Sequence, residues 1–201
     1  MRNLFRLFVP LIINPYYYFG KFKRNDADNF FDYEKKPYNR LSVISLAISQ
    51  VIMKKGYENS NYLEIGCFDD KAFNSIPLPL EQKIGIDPVQ GGTHRMTSDD
   101  FFSSNKKKFD VIFIDGLHTY EQCSKDCINA MNFLNKDGII IFHDMMPRHR
   151  TEESPKFSGD VWKVAYDLTN SKNVNFIIAN MDQGVGLLKI TSNSNYIKQL
   201  E

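Results

Sequence analysis

Cysteine is scarce in this 201-residue chain. Cys67, Cys123 and Cys127 are the only three, at spacings that match neither a metal site nor a redox pair. Cys123 and Cys127 stand four apart on an expected helix, which suits packing. A sparse, odd set excludes a disulfide framework and points to a reducing compartment, hence a cytoplasmic location. Charge of one sign is also lacking: 25 Lys and Arg against 24 Asp and Glu leave a net charge of +1. No global basic field argues for nucleic acid as a partner. The run Lys106-Lys107-Lys108 reads as a solvated loop before a strand. Long hydrophobic runs are missing too. The apolar stretch "LFVPLIINPYYYFG", Leu7 to Gly20, has 14 residues and is broken by Pro10 and Pro15. It is too short and too interrupted to span a bilayer. Arg2 and Arg6 precede it as in a signal peptide, but no small-residue cleavage site follows. It reads as an arm packed on the body or on a second subunit of a homo-oligomer. A peripheral membrane-surface contact is the sharper alternative.

What is present is an alternation. With 42% hydrophobic residues the chain can bury one domain core. "NRLSVISLAISQVIMKKG" has helical periodicity through Leu41, Ile44, Leu46, Ala47, Val51 and Ile52, and Gly56 ends it. "NYLEIGCF", "EQKIGIDP", "FDVIFIDG" and "IIIFHD" read as strands, the last as one buried on both faces. Thr119 with Gln122 forms a capping box. The helix it opens carries Tyr120, Cys123, Cys127, Ala130, Met131 and Leu134 on one face, and Asn135 to Gly138 stops it. "GDVWKVAYDL" is a further helix, with Val161, Val164, Ala165 and Leu168 inward. "VNFIIAN" and "GVGLLKI" form a closing hairpin. Strands alternating with helices predict an α/β layer fold, mostly parallel, with one antiparallel strand at the end. The boundaries are an arm at 1–37, the domain at 38–192 and a tail at 193–201.

In such sheets ligands sit beyond the carboxyl ends of the strands. Glu64, Asp87, Asp115 and the pair His143-Asp144 all fall at or just past strand ends. Four strands bringing acid to one edge predict a site. Its first loop, "EIGCFDDKAF", is not a phosphate-binding loop, because no Gly-Lys-Ser/Thr follows. Nor is it a dinucleotide fingerprint, because Phe68 and Lys71 stand where glycines are needed. Asp87 can accept hydrogen bonds from a ribose diol.

These segments resemble the class I S-adenosylmethionine-dependent methyltransferases, over roughly Tyr38 to Ile190. "LEIGCF" is similar to the family's first motif, although of its acid and three glycines only Glu64 and Gly66 stand here. "GIDP" resembles its ribose-binding acid, "TSDDFF" its adenine-side segment, and "FDVIFIDGLHTYE" its motif after the fourth strand. "IDGLHTYE" with "IIIFHD" resembles the small bacterial O-methyltransferases of sugar and glycan pathways. The resemblance implies a Rossmann-like sheet of seven strands. It implies S-adenosylmethionine as cofactor, bound by Glu64, Gly66 and Asp87, with Asp99 or Asp100 near the adenine. It also implies a divalent metal, Mg or Mn, held by Asp115, His143 and Asp144. His118 falls at the position of the general base, and its ordinary pKa of about 6.5 suits that task.

The long segment Met145 to Gly159 reads as a lid or binding loop at the ligand edge. Arg148 and Arg150 there are candidates to grip an anionic group of the acceptor. Asp160 and Trp162 follow, and the indole can stack on a sugar face. The expected partner is a small, sugar-containing acceptor. The competing functions are a nicotinamide-dependent oxidoreductase, which the missing glycine fingerprint disfavours, and a non-catalytic module of the same fold.

Overall fold

The structure is a computed structural model and describes residues 38–154 and 156–191. The arm at 1–37, the whole tail at 193–201 and the membrane-contact expectation lie outside those residues. Among the described residues, no helix is long and apolar enough to cross a membrane.

The chain opens with α1 (Arg40–Lys55), capped by Asn39, whose side chain accepts the N–H groups of Leu41 and Ser42. The first parallel unit is β1 (Tyr62–Ile65), α2 (Lys71–Ser75) and β2 (Lys83–Ile86). Then come α3 (Ser98–Ser104), β3 (Phe109–Ile114), α4 (Tyr120–Asn132), β4 (Leu134–Phe142), α5 (Trp162–Asn170), β5 (Val174–Ala179) and β6 (Val185–Ile190). The sheet order is β2-β1-β3-β4-β6-β5. β1, β2, β3 and β4 pair in parallel, and β6 runs antiparallel to both β4 and β5.

Side-chain alternation splits the core into two faces. Leu63, Ile65, Ile112, Ile114, Ile140 and Phe142 pack on one side with residues of α3, α4 and α5. Tyr62, Val111, Phe113 and Ile141 pack on the other with α1 and α2. All six residues of β3 are buried, as a central strand covered on both faces requires.

Three expectations change in detail. The resemblance implied seven strands, and the described residues hold six. Outside β2 the chain makes only one parallel bridge, Ile86 with His94, where Gly91 and Gly92 take positive φ and hold a turn. Leu46, expected inward, is exposed, and Ile48 takes its place in the core. Leu134 belongs to β4, and Asn135 to Gly138 is an irregular stretch where the register slips from Phe109–Leu134 to Val111–Ile139. Asp137 has a positive φ there, which explains why the segment reads as a helix stop.

Candidate active site

The parallel ladder runs one residue past the strand ends. Gly66 N–H donates to Ile86 O, Asp115 N–H to Ile65 O and His143 N–H to Ile114 O. The tips of β1, β2, β3 and β4 are therefore locked in line. The chain leaves β1 towards β2 and β3 towards β4, so a crevice opens between the tips of β1 and β3, the usual ligand position in open α/β sheets. Gly66 lines it with φ +88°, and a Cβ there would lie 2.1 Å from the Asp115 carbonyl oxygen. No other residue type fits that approach.

Asp115, His118, His143 and Asp144 come together at this edge. His118 Nε2 lies 3.5 Å from Asp115 Oδ1 and 3.3 Å from Asp144 Oδ2. His143 Nδ1 lies 3.3 Å and 3.2 Å from the same two oxygens. Asp144 takes φ +62°, a left-handed conformation that an aspartate tolerates, and Ser158 Oγ donates to its Oδ1 at 2.8 Å. Burial would raise the Asp115 pKa, but His143, His118 and Arg40 hold it below the ordinary carboxylate range. Burial disfavours charge on the two imidazoles, yet the carboxylates raise both, His143 more strongly.

His118 Nδ1 is paired with the Phe157 carbonyl oxygen. A carbonyl can only accept, so Nδ1 carries the hydrogen. Nε2 then faces two carboxylates, which is attractive only with a proton or a cation between them. Ligand atoms of Asp115, His118 and Asp144 all lie within 4.8 Å of one another, close enough to hold one metal ion. Two carboxylates and an imidazole suit manganese or another transition ion better than magnesium.

Two residues of this site were not expected. Asp182, in the β5–β6 turn, lies 3.5 Å from His143 Nε2. Its carboxylate accepts the backbone N–H of Arg40 at 3.0 Å and pairs with the guanidinium at 2.9 Å. Arg40 Nε in turn lies 3.7 Å from Asp115. Neither position carries a sequence signal: one is the first residue of a helix, the other a turn.

On the other side of the crevice, Glu64 is buried and receives the Tyr62 hydroxyl at 2.6 Å. Burial raises its pKa to about 8, so it is protonated at neutral pH. Asp87 accepts N–H groups from Phe68, Val89 and Gln90. Despite burial, those bonds keep it below the ordinary range. They fill three of about four acceptor directions of a carboxylate and leave one, on Oδ2, for a ligand hydroxyl. Asp99 and Asp100 stand in the first turn of α3. Asp99 is tied to Gln122, and Asp100 to its helix cap Thr97. Thr119 caps α4 as expected, but Gln122 reaches Ser98, Asp99 and Asp126 instead of closing the box.

The substrate candidates divide. Arg148 pairs with Glu152 at 3.4 Å, while Arg150 is exposed on a single 3₁₀ turn, Arg150–Glu153. Asp160 accepts the Tyr120 N–H at 2.7 Å and so helps to seat α4. Trp162 opens α5 and walls a groove beside Met145.

Residues 63–145 match the model of a family described as a methyltransferase domain. The fold is that of the class I methyltransferases. Among similar solved structures is the Podospora anserina methyltransferase PaMTH1 with bound S-adenosylhomocysteine, 14% identical at a TM-score of 0.55. The match covers 88% of this chain and 86% of that one. An O-methyltransferase from Bacillus cereus in complex with S-adenosylhomocysteine is 13% identical, with a TM-score of 0.52 over 92% and 96% of the two chains. MycE from the mycinamycin biosynthetic pathway, in complex with Mg, S-adenosylhomocysteine and mycinamycin VI, is 14% identical. Its TM-score is 0.51 over 82% of this chain and 54% of that one. No curated protein sequence matches. The matched segment thus runs from β1 to Met145, from the crevice to the acid–imidazole cluster.

Proposed function

We propose that the chain is an S-adenosylmethionine-dependent O-methyltransferase acting on a hydroxyl of a sugar or sugar-bearing metabolite in the cytoplasm. The observation that carries this reading is His118 Nε2 facing Asp115 and Asp144 at the tip of a methyltransferase sheet. Gly66 and Asp87 would hold S-adenosylmethionine in the crevice, Asp87 by its ribose, with Asp99 and Asp100 on the adenine side. Methyl transfer leaves S-adenosylhomocysteine, and the acceptor hydroxyl must lose its proton.

His118 takes that proton on Nε2, because the Phe157 carbonyl already holds Nδ1–H. Asp115 stabilises the imidazolium that forms. The acid set fits a divalent cation. Asp115 and Asp144 would hold it, and when bound it would lower the pKa of an adjacent hydroxyl. His143 bonds both carboxylates from the Asp182 side and fixes their orientation. The same distances favour a second reading, with His118 as the third ligand. His118→Ala separates them: a lost base slows turnover and spares metal affinity, whereas a lost ligand lowers metal affinity. Activity with S-adenosylmethionine before and after chelation tests whether the cation is needed.

A further inference from the structure

A groove of about 450 Å³ runs from the reaction edge down between α5 and β5. Its upper end is Met145, the residue after Asp144, and the backbone there is fixed by Met145 N–H on Gly184 O and Met146 N–H on Gln183 O. Met145, Met146, Pro147, Ala165 and Ile178 supply apolar walls, and Trp162 supplies an aromatic one. Glu153 is the one charged residue of the lining. The volume lies within the range of small-molecule sites.

The indole of Trp162 gives this wall flat aromatic surface, on which another flat group can stack. We infer that this groove binds the apolar body of the acceptor, an uncharged aromatic or similarly flat group. The flat group lies against the Trp162 indole, and the hydroxyl to be methylated projects past Met145 towards Asp144 and His118. The inference rests on the methyltransferase reading for the identity of the acceptor, but binding to the groove does not require turnover. It also makes an anionic acceptor the poorer fit: Arg148 is turned to Glu152, and the lining holds an acid rather than a base.

Trp162 is the single tryptophan of the chain, so indole emission comes from the wall of this groove. The full chain is titrated with 4-nitrophenyl β-D-glucoside and, in parallel, with methyl β-D-glucoside. The sugar is common to both, and only the first carries a flat apolar ring that quenches indole emission. Saturable quenching is expected from the nitrophenyl glycoside, with calorimetric affinity about ten-fold or more above the methyl glycoside, the gain from burying one aromatic ring. Thr169→Phe at the exposed lower end, and Ile178→Asp in the wall, should each weaken that binding about ten-fold or more while S-adenosylhomocysteine still binds. Equal affinity for the two glycosides, binding without quenching, or binding unchanged in both variants would overturn the inference. Failure of S-adenosylhomocysteine to bind would count against the methyltransferase reading instead, and the quenching result would still decide the groove.

Discussion

Asp182 and His143 meet across the fold, with the carboxylate Oδ2 3.5 Å from the imidazole Nε2. One stands in a hairpin turn and the other at the tip of β4. The imidazole therefore has an acid on each side: Asp182 behind, Asp115 and Asp144 in front. Asp182 also caps α1 through the Arg40 N–H, so three elements are tied at one carboxylate.

If Asp182 acts through His143, Asp182→Ala should lower turnover about 10–100-fold, the usual cost of losing a partner that orients a site ligand. The double variant with His143→Ala should then be no slower than His143→Ala alone. Additive losses in that cycle, measured as kcat, would reduce Asp182 to a cap for α1.

Glu64 makes a pH signature. Its folded pKa of about 8 exceeds its ordinary value of 4.5, so the folded state holds a proton that the unfolded state releases. Stability should therefore fall as pH rises from 4.5 towards 8, then level off. Glu64→Gln keeps a neutral side chain of the same shape. It should match the wild type at low pH and be more stable by a few kcal/mol above pH 8. Denaturant midpoints across that range provide the check, and parallel curves would show that the carboxyl is ionised in the fold.

Gly66→Ala places a methyl against the Asp115 carbonyl at a backbone φ that only glycine adopts readily. The expected loss is about 2–4 kcal/mol of stability, with cofactor affinity falling because the β1 and β3 tips must part. Thermal denaturation and cofactor titration measure both.

Asp87→Ala removes the acceptor for three backbone N–H groups. Cofactor binding should weaken by about 1–3 kcal/mol, and the loop amides of Val89 and Gln90 should exchange faster. Unchanged exchange with weakened binding would assign Asp87 to the ligand alone.

Much of this arrangement was legible in the sequence, and the reason is local. Period-two and period-3.6 patterns mark β1 to β4 and the main helices, because one side of each element must face the core. Acids at strand ends stand out because a buried strand has no use for them. That placed Asp115, His118, His143 and Asp144 at one edge. Arg40 and Asp182 were not legible. They are 142 positions apart, and only the pairing of β6 with β4 brings the turn over α1. The expected seventh strand is not among the described residues, and beside β2 Gly91 and Gly92 hold a turn before the single Ile86–His94 bridge. Leu46 shows the limit of periodicity, since an apolar residue on a helix can face solvent when Ile44 and Ile48 already fill the core.

The most direct test is calorimetric titration of the full chain, wild type and His118→Ala, with S-adenosylhomocysteine, followed by turnover with S-adenosylmethionine on an accepted hydroxyl compound. Both proteins should bind the nucleoside with the same affinity and one-to-one stoichiometry, and the variant should turn over about 10²–10⁴-fold more slowly. Wild-type protein that does not bind S-adenosylhomocysteine would contradict methyl transfer at this site.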